Sequence, residues 1–171
     1  MQPPDLEREL DRVHTAAFGW ALACCGGDRS RAEDVLQSSY LKILDGRARF
    51  DGRSSFKTWL FGIVHRTALE EQRRARLRPW LLLGWLGALQ APDGRPDPAT
   101  ALARCEASQR LRRALAVLPR RQRELLHLVF YQDLTIAEAG AVLGVSLGTA
   151  RTHYQRGKAA LREMLKEVDR E

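Results

Sequence analysis

Apolar residues recur three or four positions apart through the first 76 residues, and this spacing predicts amphipathic helices. The first predicted helix spans residues 5–24, where the apolar positions form a single stripe. Gly26 and Gly27 should end this helix, because glycine readily adopts the positive φ found just after a helix. The residues of the stripe are Leu6, Leu10, Val13, Ala17 and Trp20.

Two further helices are predicted in this part of the chain. Ser30 and Glu33 have the spacing of a capping box at the start of the second helix, and Gly46 follows its end. Residues 47–55 form a basic, polar loop, and the third helix begins after it. The residues expected to face the core are Leu36, Tyr40, Ile43 and Leu44 in the second helix and Phe56, Trp59, Leu60, Ile63 and Thr67 in the third.

The helical pattern breaks at residues 77–103, which contain four prolines and three glycines. We predict a linker there, although residues 80–89 are too apolar for an ordinary solvated tether. The pattern resumes in residues 104–171, with one helix ending at Pro119 and another over about residues 121–131. The fold class predicted is therefore all-α, with two small helical domains over residues 1–76 and 104–171.

Residues 134–151 contain the parts of a helix-turn-helix. Thr135 and Glu138 predict a capping box for a short first helix. Gly144 is suited to the turn, and Ser146 is suited to capping the second helix. Gly140 provides a small residue where the two helices must cross closely. The shared core is expected to comprise Val142, Leu143, Val145, Ala150 and Tyr154.

The second helix of this unit has the side chains of a DNA-contacting helix. Arg151, Thr152 and Gln155 lie together near its N-terminal half, and these types suit guanine, the thymine methyl group and adenine in the major groove. Arg156 and Lys158 follow, as expected for phosphate contacts. A solvated basic helix within a bundle is the alternative interpretation.

Composition and charge support a nucleic-acid partner. The 171 residues include 28 Lys and Arg against 21 Asp and Glu, so the formal net charge is +7. This excess favours a polyanion, with nucleic acid first and an anionic membrane second. No apolar run reaches the roughly 20 residues needed to cross a bilayer, and no signal peptide is evident, so we expect a cytoplasmic protein.

The sequence offers no candidate for catalysis or for metal binding. Cys24, Cys25 and Cys105 lack the paired spacing of metal ligands, and we expect inert thiols. A Gly-rich phosphate loop, a nucleophile elbow and a pair of catalytic carboxylates are also missing from the sequence. We therefore expect a protein that is not an enzyme and that holds neither metal nor cofactor.

Four motifs, taken in order, resemble bacterial RNA polymerase sigma factors. They are residues 32–41, residues 56–63, residues 118–124 and the helix-turn-helix. The resemblance is closest to the extracytoplasmic-function (ECF) group of the sigma-70 family, which keeps only regions 2 and 4. It implies region 2 in residues 1–76 and region 4 in residues 104–171. It also implies a subunit that binds core RNA polymerase, directs promoter-specific initiation by binding and melting DNA, and is inhibited by an anti-sigma factor.

The resemblance also assigns roles to particular residues. Asp34, Gln37 and Leu41 would dock on the clamp helices of the polymerase largest subunit. The loop of residues 47–55 would capture a flipped base of the downstream, minus-ten element, and the last helix would contact the upstream, minus-thirty-five element. The downstream candidates are Arg49, Phe50, Arg53, Ser54, Phe56, Arg66, Arg73 and Arg74, and the upstream candidates are Thr149, Arg151, Thr152, Gln155, Arg156 and Lys158.

Two other functions are compatible with the residues. A stand-alone helix-turn-helix regulator would bind duplex DNA tightly without polymerase. A helical interaction module, such as a membrane-proximal adaptor, would use residues 80–89 and would show no affinity for DNA.

Overall fold

The computed structural model describes residues 3–76, residue 111 and residues 114–168. The predicted linker, with its apolar residues 80–89, therefore lies outside the described residues, as does Cys105. Within the described ranges every regular element is a helix, which confirms the all-α prediction.

Three helices form the first part of the structure: α1 (Pro3–Cys24), α2 (Arg29–Leu44) and α3 (Phe56–Arg76). Each of these helices packs against the other two. The predicted stripe of α1 is buried from Leu10 to Trp20, and Trp20 is completely enclosed, with its indole N–H donating to the Phe61 carbonyl at 3.1 Å. Gly26 and Gly27 end α1 with φ of 68° and 92°, as expected.

The start of α2 differs from the prediction. Its N-cap is Asp28, whose carboxylate accepts a hydrogen bond from the Arg31 amide at 3.1 Å. Ser30 lies two positions after the N-cap, inside the first turn, and Glu33 instead pairs with Arg29 at 3.0 Å. Asp28 itself has the extended backbone of an N-cap residue, with φ of −73° and ψ of 108°, whereas Ser30 is already helical.

One predicted core position of α2 is wrong. Leu36 and Ile43 are buried, but Leu44 is 57% exposed. Leu44 is the last residue of the helix and is adjacent to Ile43, so it points about 100° away from the buried stripe.

The second part of the structure contains α4 (Arg120–Phe130), α5 (Ile136–Leu143) and α6 (Leu147–Val168), preceded by helical residues 114–117. These three helices pack on one another. Their apolar side chains join the core of the first part without a break, because α5 packs on α3 and α4 packs on α1.

Candidate nucleic-acid and polymerase interfaces

The helix-turn-helix forms as the sequence predicts. The Thr135 hydroxyl accepts from the Glu138 amide at 3.2 Å, and the Glu138 carboxylate accepts from the Thr135 amide at 2.9 Å, so the capping box is complete. The Thr135 hydroxyl also donates to the Glu138 carboxylate at 2.7 Å, and this bond together with the one from the Thr135 amide lowers the pKa of Glu138 below its ordinary value. Gly144 forms the turn with φ of 67°, and the Thr149 amide donates to Ser146 Oγ at 3.2 Å.

The crossing of α5 and α6 depends on Gly140. A Cβ at this position would lie 3.1 Å from the Ala150 Cβ and 3.3 Å from the Val145 carbonyl oxygen. Only glycine therefore permits this approach without displacing a neighbour. The close crossing fixes the direction in which α6 leaves the turn, and with it the orientation of the predicted base-contacting side chains.

The predicted base-contacting residues of α6 form one exposed surface. Arg151, Thr152 and Gln155 are all exposed, whereas Ala150 beside them is fully buried. Thr152 donates its hydroxyl hydrogen to the Gly148 carbonyl at 3.0 Å, which holds the side chain against the helix. Its methyl group is the part left for contact with a thymine.

The predicted phosphate contacts flank this surface. Thr149 and Arg156 are exposed, and Lys158 is partly buried with its ammonium 5.8 Å from the centre of the Tyr154 ring. The Thr149 hydroxyl is also within 2.9 Å of the Ser146 hydroxyl.

The loop before α3 packs on an aromatic cluster. The ring centroids of Phe50, Phe56 and Trp59 lie 5.3–5.5 Å from one another. Phe56 is only 7% exposed, so the structure places it in the core and leaves Phe50 as the more accessible ring. Arg49, Arg53 and Ser54 are exposed around it.

An open cavity of about 610 Å³ lies beside this cluster. The predicted loop contributes Phe50 and Ser54 to its lining, and the first three turns of α1 contribute Asp5, Arg8, Glu9 and Arg12. The contribution of α1 has no signal in the sequence, because the two segments are far apart in the chain and no local pattern connects them.

Three arginines lie on the outer side of α3. Arg66, Arg73 and Arg74 are exposed, and Arg74 pairs with Glu71 at 2.9 Å. The spacing of Arg66 and Arg73 places them on the same side of the helix, two turns apart.

The predicted polymerase-docking residues lie on the solvent-facing side of α2. Asp34 and Gln37 are exposed, and Leu41 is exposed by 59%. Leu44 lies one turn beyond Leu41 and extends this face. Leu41 and Leu44 thus leave two apolar side chains exposed one turn apart on this face.

The contact between α4 and the first three helices contains a buried ionic cluster. Glu124 Oε1 accepts from Arg120 Nε at 2.6 Å, and Glu124 Oε2 lies 3.6 Å from His65 Nε2 on α3. The side chains of His65 and Glu124 are only 3% and 4% exposed. Burial alone would raise the pKa of Glu124, but His65 and Arg120 outweigh burial and lower the pKa below its ordinary value.

The remaining titratable groups of interest are buried. Burial lowers the pKa of His127 to about 4, and it raises the pKa of Cys25 to about 11 and that of Cys24 well above its usual range. In the part of the chain that the structure describes, no group of three or more His, Cys, Asp or Glu side chains could hold a metal ion, and no helix is long and apolar enough to cross a membrane.

Comparison with known proteins identifies the family. The profile of Sigma-70 region 2 matches residues 6–78, and that of Sigma-70 region 4 matches residues 108–161. The ECF RNA polymerase sigma factor SigF of Caulobacter vibrioides is 35% identical over 91% of this chain and 89% of its own length. This chain belongs to the ECF sigma factors of the sigma-70 family.

Other ECF sigma factors are similar over most of the chain. RpoE of Cereibacter sphaeroides is 32% identical over 81% of this chain and 74% of its own length. The sigma factor RpoE of Bartonella quintana, solved with the anti-sigma factor NepR, matches with a TM-score of 0.71 and 26% identity over 95% of this chain and 97% of that one. Membership of the ECF group favours a sigma factor over a stand-alone regulator.

Proposed function

We propose that this ECF sigma factor binds core RNA polymerase through the exposed face of α2 and directs initiation at promoters with two elements. Asp34, Gln37 and Leu41 form the docking face, and Leu44 extends it. The support for this assignment is the exposure of two neighbouring leucines on a helix whose opposite side is buried. The polymerase supplies the chemistry, and the sigma factor is not an enzyme.

Recognition of the upstream element is assigned to α6. The observation that carries the proposal is the joint exposure of Arg151, Thr152 and Gln155 on a helix held by a complete helix-turn-helix. Arg and Gln can each make two hydrogen bonds to a purine in the major groove. Thr149, Arg156 and Lys158 fix the position of the helix on the phosphates.

Recognition and melting of the downstream element are assigned to the loop before α3. An unpaired base needs a ring to stack on and a few polar contacts, and Phe50 with Ser54 at the edge of the cavity provides both. Arg49 and Arg53 lie near the cavity. The exposed cations Arg66, Arg73 and Arg74 line a path for the DNA backbone.

The relatives also suggest an inhibitor and a compartment. Because RpoE of Bartonella quintana was solved with the anti-sigma factor NepR, we assign an anti-sigma partner to this chain as well. The site of action is the cytoplasm, where RNA polymerase and promoter DNA are found.

Transcription in vitro tests this function. Purified chain is added to core RNA polymerase that lacks any sigma subunit, on a library of promoter fragments, and the transcripts are sequenced. We expect start sites that depend on the added chain and that share two upstream sequence elements. Binding of the chain to one duplex operator, with no effect on start sites, would refute the proposal in favour of a stand-alone regulator.

A further inference from the structure

Helix α1, which lies outside the proposed DNA-binding residues, lines the cavity beside the downstream loop. It contributes Asp5, Arg8, Glu9 and Arg12. These positions are separated by three, one and three residues, so they lie on one face of the helix. The loop contributes an aromatic ring and a hydroxyl group through Phe50 and Ser54. The cavity is therefore formed jointly by the loop and by one charged face of α1.

The four charged side chains of this face are not equivalent. Arg12 donates to Glu9 at 2.7 Å, so these two charges are paired. Arg8 is exposed and forms no ion pair within the described part of the chain, although Asp5 lies one turn before it. Arg8 therefore presents to the cavity a guanidinium whose N–H donors are available to an anionic ligand.

The core fixes the position of Arg8. Leu10 and Val13, on the other side of α1, are only 7% and 6% exposed, so this part of the helix is anchored in the core. Only the side chain of Arg8 must become ordered when a ligand binds, and this limits the entropic cost of the contact.

The cavity has room for a nucleotide. Its volume of about 610 Å³ lies within the range of about 300–1,000 Å³ that is usual for sites of small organic ligands. Phe50 is half-buried, whereas Arg8 is exposed. A base that stacks on Phe50 would keep its sugar and phosphate toward the solvent, on the exposed side where Arg8 lies.

We infer that Arg8 is a further DNA-binding residue of the downstream site, which binds a phosphate of the unpaired strand next to the captured base. This inference rests on the proposed function, whose downstream residues all lie in the loop and in α3. A guanidinium suits this role because two of its N–H groups can donate in parallel to phosphate oxygens. Asp5 opposes the same contact, since its carboxylate lies one turn away and repels an anion.

Binding of a single strand to the holoenzyme tests the role of Arg8. The full chain is assembled with core RNA polymerase, and fluorescence anisotropy gives the Kd of a labelled single-stranded oligonucleotide at several salt concentrations. The oligonucleotide carries the downstream element of a promoter selected from the library and no upstream element. The variants are Arg8→Ala and Asp5→Asn, and circular dichroism checks the helix content of each.

Arg162→Ala is the matched control. It removes one positive charge, as Arg8→Ala does, at an exposed position of α6 that does not line the cavity. A general effect of net charge on DNA binding would appear equally in both variants.

We expect Arg8→Ala to raise the Kd about 1.5- to 5-fold at low salt, which is the range for an exposed ion pair. The slope of log K against log salt concentration should become shallower by about 0.7, the value for one phosphate contact on a single strand. The weakening should be the same for oligonucleotides of different sequence, because a phosphate contact carries no sequence information. Asp5→Asn should lower the Kd, and Arg162→Ala should change neither the Kd nor the slope.

Several results would overturn the inference while leaving the proposed function intact. One is a parental Kd and slope in Arg8→Ala. Equal weakening in Arg162→Ala would assign the effect to net charge, and a change confined to one base would make Arg8 a base contact. Unchanged or weaker binding by Asp5→Asn would contradict a phosphate at this place, and this result does not depend on the folding of Arg8→Ala. If the parent holoenzyme shows no preference for the downstream element, the proposed function fails and the inference fails with it.

Discussion

The close crossing at Gly140 leads to a quantitative prediction about the helix-turn-helix. A Gly140→Ala substitution adds a Cβ that would lie 3.1 Å from the Ala150 Cβ and 3.3 Å from the Val145 carbonyl oxygen. Neither neighbour can rotate away, because one is a Cβ fixed by the backbone and the other is part of the backbone. The helices must therefore separate by a few tenths of an ångström.

Two effects of opposite sign decide the outcome. Replacing glycine by alanine inside a helix stabilises it by up to about 1 kcal/mol. Overpacking in a tight contact costs about 1–3 kcal/mol. The net change expected for Gly140→Ala is a loss of between about 0 and 2 kcal/mol in the free energy of unfolding.

A matched substitution isolates the overpacking. Gly148 lies in the first turn of α6, where a Cβ would be 4.0 Å from its nearest neighbour, Ser146 Oγ. Gly148→Ala should therefore gain helix stability without strain. Thermal unfolding of the two variants should differ by about 1–3 kcal/mol, and each kcal/mol corresponds to a Tm difference of about 2–4 °C in a chain of this size. Equal Tm values for the two variants would refute the argument that Gly140 is required by the crossing.

Three further predictions concern DNA binding, polymerase docking and pH. Arg151→Ala should relax the sequence preference at one base pair of the upstream element and cost about 1–3 kcal/mol of binding free energy. Footprinting on single-base promoter variants measures both effects, and an unchanged preference would contradict the base-contacting role of Arg151. Asp34→Arg should abolish co-purification with core polymerase while the far-ultraviolet circular dichroism is retained, and continued binding would exclude this docking face. His127 has its pKa lowered to about 4 by burial, so the unfolded chain takes up a proton near pH 6.5 before the folded chain does. The free energy of unfolding should therefore fall from about pH 7 toward pH 4, by at most about 3 kcal/mol. Urea unfolding at a series of pH values measures this fall, and His127→Gln should flatten it. An unchanged slope in His127→Gln would assign the fall to another titratable group.

Local sequence signals were sufficient for the helices and for the helix-turn-helix. The buried stripe of α1, the capping box of Thr135 and Glu138, the turn at Gly144 and the cap at Ser146 were all predicted and are all confirmed. Each depends on residues within a few positions of one another, so the spacing in the sequence already fixes which groups can meet. The same reasoning failed at the start of α2, where Asp28 and Ser30 are both good caps and the path of the preceding chain selects between them.

The proposed site residues divide in the same way. Exposure of Arg151, Thr152 and Gln155 follows from helical periodicity, and the structure agrees. Helical spacing places Phe56 in the core, whereas the resemblance assigns it to the downstream site, and its burial against Phe50 and Trp59 agrees with the first.

The sequence by itself determined an all-α chain and the family to which it belongs. Tertiary structure alone decided how the first three helices meet the last three: His65 facing Glu124, His127 stacked on Trp20, and Lys57 bound to Gln132. The physical reason is that helix periodicity and capping act within a few residues. Contacts between distant segments depend instead on how complete helices pack, and no short stretch of sequence specifies that packing.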